Sequence, residues 1–136
     1  MSKHRLALLQ RIVAAAIVAF WISFGLDHQD LPAEVVDYEL NFVVPDLVWI
    51  TVLLLAGSYW LKKGDHRGVM VSAAAGGALV FLGSLDVLFN VRHAQYTASL
   101  PQGLLNVVVN AGCILFGLWN LWVLTQPLPP ASDGRS

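Results

Sequence analysis

Four long apolar stretches constrain the fold of this chain more than any other feature of its sequence. A bilayer core about 30 Å thick needs about 20 apolar residues in helical form. Four stretches meet that requirement, at about residues 6–26, 42–61, 69–91 and 104–124. Because backbone N–H and C=O groups in lipid must form hydrogen bonds within the segment itself, such stretches cross the membrane as helices. The sequence therefore predicts an all-α membrane protein, an antiparallel four-transmembrane-helix bundle, in a single integral-membrane domain over residues 1–126.

The composition agrees with a protein that resides in lipid. Of the 136 residues, 57% are hydrophobic and 12% are charged, whereas soluble domains are about half apolar and about a quarter charged. The net charge is −1 and the longest basic run is Lys62-Lys63, so we expect no nucleic-acid partner. The single Cys113 cannot form an internal disulfide, and the zinc and redox spacings are absent, so we expect no metal and no cofactor.

The distribution of basic residues predicts the direction of the spans. Lys3 and Arg5 precede the first span and the turn "KKGDHRG" joins the second to the third, whereas Arg92 is the only Lys or Arg in the loops on the other side. Cytoplasmic loops carry the excess of Lys and Arg. We therefore expect an integral membrane protein of the inner or plasma membrane with both termini cytoplasmic. The tail at 127–136 is Pro-rich and polar, and we predict that it is disordered and cytoplasmic.

The first outer loop is long and acidic, and it contains a helix signal. Asp30 precedes Pro32 by two residues, a pattern typical of a capped helix start. We expect a short interfacial helix here, capped by Asp30. Pro45 then either starts a fresh helix or kinks a longer one. Aromatic residues, Trp21 and Tyr38 among them, lie near this outer boundary, as interfacial belts require.

Polar side chains fall on narrow stripes of the later spans. At 100° per residue, Asp86 and Asn90 share one face of the third span, and Asn106 and Asn110 share one face of the fourth. With Asp46 they lie in one layer near the outer boundary, and amides and carboxylates at such depth normally face protein or water. We predict an outward-facing polar site formed by Asp27, Glu39, Asp46, Trp49, Asp86, Asn90, Asn106 and Asn110.

Each of these groups also has a local explanation. Asp46 can complement the amide-rich start of its own helix. Asp86 approaches a helix C-terminus, where negative charge is unfavourable, so it needs either a partner or a proton. The candidate partners are Arg92, His93 and Asn110. The asparagines can simply bond helices together, which is the interpretation we favour for Asn120.

Three classes of function fit this pattern. The first is binding or transport of a small polar, cationic or lipid-like ligand, which ranks first because membrane carboxylates commonly serve such roles. Four helices are few for a complete pathway, so this class predicts a homodimer. The second is a small integral-membrane enzyme that performs acid-base chemistry on a lipid-like substrate. The third is a non-catalytic subunit of a membrane complex, and the sequence does not decide whether the protein is an enzyme.

Overall fold

The protein is a bundle of four long helices. The computed structural model describes residues 3–126, so the tail at 127–136 lies outside the described residues. Four helical segments are long and apolar enough to cross a membrane, and the predicted all-α four-helix bundle is confirmed. The α-helices are α1 (Lys3–Asp27), α2 (Ala33–Leu40), α3 (Thr51–Lys62), α4 (His66–Arg92) and α5 (Leu100–Thr125).

The second span, Ala33–Lys62, contains both α2 and α3 and is irregular. It departs from the prediction at its start. The residue that precedes α2 is Pro32, which makes no side-chain cap, while Asp30 ends a short 3-10 turn at His28–Asp30. The expected cap by Asp30 is therefore wrong. Between Pro45 and Ile50 the chain forms a π-helix that leads directly into α3. The helix thus continues across Pro45 with a wide turn, a feature that is frequent at functional sites.

The helices pack in the order α1, α3, α4, α5. One apolar cluster fills the middle of the bundle and consists of Ala14, Ile50, Leu54, Ala75 and Leu79. A second lies where α1 begins and α5 ends, and consists of Leu6, Ala7, Leu61 and Val123. We name this second region the closed end. The opposite end, where residues 28–44 and 93–99 connect the helices, is the open end.

Polar side chains join all four helices at the closed end. Gln10 Nε2 donates to Asn120 Oδ1 at 3.2 Å, and Asn120 Nδ2 donates to the backbone carbonyl of Ser72 at 2.8 Å. Ser58 Oγ donates to the carbonyl of Ala7 at 2.8 Å. Asn120 is fully buried and bonds α1 and α4 to α5, the structural role expected for it.

Candidate functional site

A cavity of about 880 Å³ occupies the open half of the bundle. Among the described residues, the one side-chain hydrogen bond between α1 and α5 is at the closed end. Farther along, both helices line the cavity with exposed residues, which include Ala19 of α1 and Gly112 of α5. Small-molecule sites in proteins are typically about 300–1,000 Å³. The cavity is therefore large enough for a ligand, and it is bordered by two helices that separate from each other.

The cavity brings most of the predicted site residues together. Its lining includes Asp27, Glu39, Asp46, Asp86, Asn90, Asn106 and Asn110. Trp49 is not part of the lining, and its side chain is 63% exposed on the outside of the bundle. Trp49 lies in the π-helical segment, three residues after Asp46. Three residues make less than a full turn there, so the two side chains point in different directions.

Asp46 is held by a bond from another helix. The indole Nε1 of buried Trp21 donates to Asp46 Oδ2 at 3.0 Å. The backbone carbonyl of Asp46 accepts from the hydroxyl of Thr51 at 2.8 Å. Because an indole can only donate, the carboxyl oxygen facing Trp21 must be an acceptor. Asp46 is therefore positioned against α1 and does not merely complement the start of its own helix.

The partner of Asp86 comes from α2. Tyr38 OH donates to Asp86 Oδ1 at 3.1 Å, and the ring of Tyr38 stacks on Phe89 with centroids 3.7 Å apart and an interplanar angle of 6°. Val35 and Glu39, on the same helix, line the cavity. The helix α2 thus reaches the carboxylate of α4 through the side chain of Tyr38.

The partners expected for Asp86 from the sequence make other contacts. His93 Nδ1 lies 3.5 Å from Glu34 Oε2, and Asn110 Nδ2 donates to Tyr96 OH at 2.8 Å. Over residues 3–126, no hydrogen bond or ion pair joins Asp86 to Arg92, His93 or Asn110. That expectation is wrong because the bond to the carboxyl of Asp86 comes from Tyr38 of α2, while His93 and Asn110 are engaged elsewhere.

A row of amides forms the α4–α5 wall. Gln102 Nε2 donates to Asn106 Oδ1 at 3.3 Å, and Asn106 Nδ2 lies 3.5 Å from Asn90 Oδ1. These bonds are long compared with the usual 2.9–3.0 Å for N–H···O bonds. The amides are therefore loosely engaged with one another, which leaves them able to bond a ligand.

The cavity is acidic at one end and apolar at the other. Four carboxylates line it, from Asp27, Glu39, Asp46 and Asp86, and none of the described lining residues is Lys or Arg. Deeper toward the bundle centre the lining is hydrocarbon, from Val13, Ile17, Leu79 and Phe116 among others. Such a lining favours a positively charged group at the open end with an apolar body below it, because apolar surface is stabilised by burial and the carboxylates complement the charge.

The sequence did not reveal which aromatic groups bond to the site. The sequence pattern places Trp21 and Tyr38 only in a boundary belt, yet they donate to Asp46 and Asp86. The available signal was depth, since these polar ring atoms lie in the same layer as the carboxylates.

Within residues 3–126 no group of three His, Cys, Asp or Glu residues is arranged to hold a metal. Comparisons with protein-family models, curated proteins and solved structures found no match to this chain.

Proposed function

We propose that this protein is a membrane protein that binds a small cationic ligand with an apolar body in the cavity at the open end. The observation that carries the proposal is the convergence of four carboxylates on one cavity whose described lining contains no Lys or Arg. Ionisable groups at membrane depth are costly and usually functional. Asp46 and Asp86 take the charge of the ligand, Asn106 and Asn110 orient it, and the apolar depth of the cavity takes its body.

In this proposal the open end faces away from the cytoplasm, in an inner or plasma membrane. Basic residues concentrate at the closed end, where Lys3, Arg5, Lys62, Lys63 and Arg67 lie. The cytoplasmic side of a membrane protein carries this excess. Transport across the membrane would further require the closed end to open, since Gln10 and Asn120 bond across it, and a homodimer would supply additional helices for the pathway.

The native cysteine provides a direct test of the electrostatic preference. Cys113 is the single cysteine of the chain and lines the cavity. The experiment compares its rates of reaction with trimethylammonium-ethyl and sulfonatoethyl methanethiosulfonate, for protein in liposomes, by intact mass. After normalisation to free cysteine, the cationic reagent should be favoured by about tenfold, equivalent to ~1.4 kcal/mol. Using the ratio cancels any change in the reactivity of the thiol itself.

Matched variants identify which carboxylates cause the preference for the cationic reagent. Asp46→Asn and Asp86→Asn should each reduce the ratio severalfold, because each removes one carboxylate of the cavity. Asp37→Asn should leave it unchanged, because Asp37 is an exposed residue of α2 outside the cavity lining. A normalised ratio near one in the native protein, or equal ratios in all three variants, would overturn the proposal.

One observation favours acid-base catalysis on a lipid-like substrate as a second candidate. The two carboxyls have different partners, since Trp21 can only donate to Asp46 whereas Tyr38 OH can donate to Asp86 or accept from it. Asp86 can therefore keep this hydrogen bond in either protonation state, and a general acid alternates between the two states. Lipid analysis of cells with and without the active gene tests this candidate, and an unchanged lipid profile would contradict it.

A further inference from the structure

The cavity opens sideways as well as toward the open end. Its lining includes exposed residues of both flanking helices, Ala16, Ala19 and Ser23 on α1 and Leu105, Val108 and Gly112 on α5. A Cβ added at Gly112 would meet no atom of the described residues within 4 Å. Within the described chain, the hydrogen bond between Gln10 and Asn120 links α1 to α5 at the closed end. The gap between these helices therefore lies at membrane depth and faces the bilayer.

The length of the cavity matches one leaflet. Along α1 the lining extends from Asp27 to Val13, which is roughly 20 Å at 1.5 Å per residue. One leaflet contributes about 15 Å of hydrocarbon, half of a core about 30 Å thick, with the polar headgroup region beyond it. The acidic part of the lining is at the open end and the apolar part is deeper, the same order in which an amphiphile of that leaflet places its head and its chain.

We infer that the cavity takes up a single-chain cationic amphiphile laterally from the leaflet at the open end, through the gap between α1 and α5. This inference rests on the proposed function, because the carboxylates select the positive head. A molecule already dissolved in that leaflet enters without inverting and without exposing its chain to water. The small side chains of Ala19 and Ser23 leave the opening wide, and the side chain of Phe116 lies at the apolar depth.

The test uses dodecyltrimethylammonium as the probe and protection of Cys113 from methyl methanethiosulfonate as the readout, in liposomes. The probe should protect Cys113, whereas tetramethylammonium, which has the same head and no chain, should not at equal concentration. Ala19→Leu should slow the onset of protection by about tenfold, because it narrows the gap. Ala15→Leu is the matched control, since Ala15 is an exposed residue of the same helix outside the lining.

Each remaining outcome decides the inference. Ser23→Leu provides a second narrowing variant if Ala19→Leu does not fold, and it should also slow protection. Protection by tetramethylammonium equal to that by the long-chain probe, or equal rates in Ala19→Leu and Ala15→Leu, would overturn lateral uptake while the charge preference at Cys113 stands. Cross-linking between two chains at Ala19→Cys in a Cys113→Ala background, above the level at Ala15→Cys, would show instead that a second copy fills the gap. Loss of the cationic preference itself overturns the proposed function and this inference together.

Discussion

Gly117 of α5 lies directly against the backbone of Gly76 of α4: a Cβ added at Gly117 would be 2.7 Å from the carbonyl oxygen of Gly76. In lipid, helix association depends on such close packing of small residues. The contact fixes how α4 and α5 rotate against each other, and so it fixes where Asp86 and Asn110 point.

Gly117→Ala should therefore destabilise the bundle. The backbones must separate to admit the methyl group, at a cost of about 1–3 kcal/mol. Gly77→Ala is the control, because Gly77 is exposed and its added Cβ would meet no atom of residues 3–126 within 4 Å. This change should be neutral or stabilise by up to about 1 kcal/mol. Thermal unfolding of both variants in detergent measures the difference, and equal stabilities would contradict the close contact.

The bond between Trp21 and Asp46 should appear as coupling between the two residues. Trp21→Phe keeps an aromatic ring and removes the donor, while Asp46→Leu removes the acceptor. Interhelical bonds in membranes average about 0.6 kcal/mol and bonds to charged groups about 1.5–3 kcal/mol, so we expect a coupling near 1 kcal/mol. A double-mutant cycle by denaturant unfolding measures it, and strictly additive effects would show that the bond does not form.

The closed-end network should respond non-additively to substitution. Asn120→Leu removes two hydrogen bonds worth about 0.6 kcal/mol each and leaves the amide of Gln10 unbonded as well. Within residues 3–126, the Oε1 atom of Gln10 is already buried without a hydrogen-bond partner. Adding Gln10→Met to Asn120→Leu should therefore recover stability, because it removes a buried amide that has lost its bonds. A double variant less stable than Asn120→Leu alone, in the same unfolding assay, would count against this account.

The turn before α4 should give the protein an acid-dependent stability. Asp65 caps α4 by accepting from the backbone N–H of Arg67 at 2.9 Å. It also pairs with the guanidinium of Arg67 at 2.6 Å, and these hydrogen bonds lower the pKa of Asp65 from 3.8 to about 2. A lowered pKa means that the stabilising contribution is present above the ordinary value and is lost as the pH falls toward 2.

The matched variant for this turn is Asp65→Asn, which keeps a capping oxygen and cannot ionise. Other carboxylates titrate in the same range, so the measurement is the difference in thermal midpoint between native protein and variant. That difference should be constant above the ordinary Asp65 value and should shrink as the pH is lowered. A difference that does not change with pH would exclude the ion pair as its source.

Filling the cavity should weaken binding without unfolding the protein. Gly112→Leu places a side chain into the open space of the cavity, while Gly77→Leu makes the same change on an exposed surface outside the lining. We expect retention of dodecyltrimethylammonium by native mass spectrometry to weaken by at least about tenfold, ~1.4 kcal/mol, in Gly112→Leu alone. Equal retention by the two variants would place the probe outside this cavity.

Much of the site could be predicted from local periodicity. Asp86 and Asn90 share a face because they are four residues apart on one helix, and so do Asn106 and Asn110, whatever the rest of the chain does. Trp49 shows the limit of that reasoning, since the π-helical turn from Pro45 to Ile50 changes the phase that a regular helix would give. The partner of Asp86 was not predictable either, because Tyr38 reaches it from 48 residues away in the chain.

The sequence by itself determined that four spanning helices form and which faces of the later ones are polar, because hydropathy and a 3.6-residue period are properties of each segment alone. Only the tertiary structure decided that Trp21 and Tyr38 hold the carboxylates and that α1 separates from α5 beyond Gln10 and Asn120. Those relationships depend on the tilt and rotation of one helix against another, which are set by contacts such as Gly76 with Gly117 and not by the pattern within any single span.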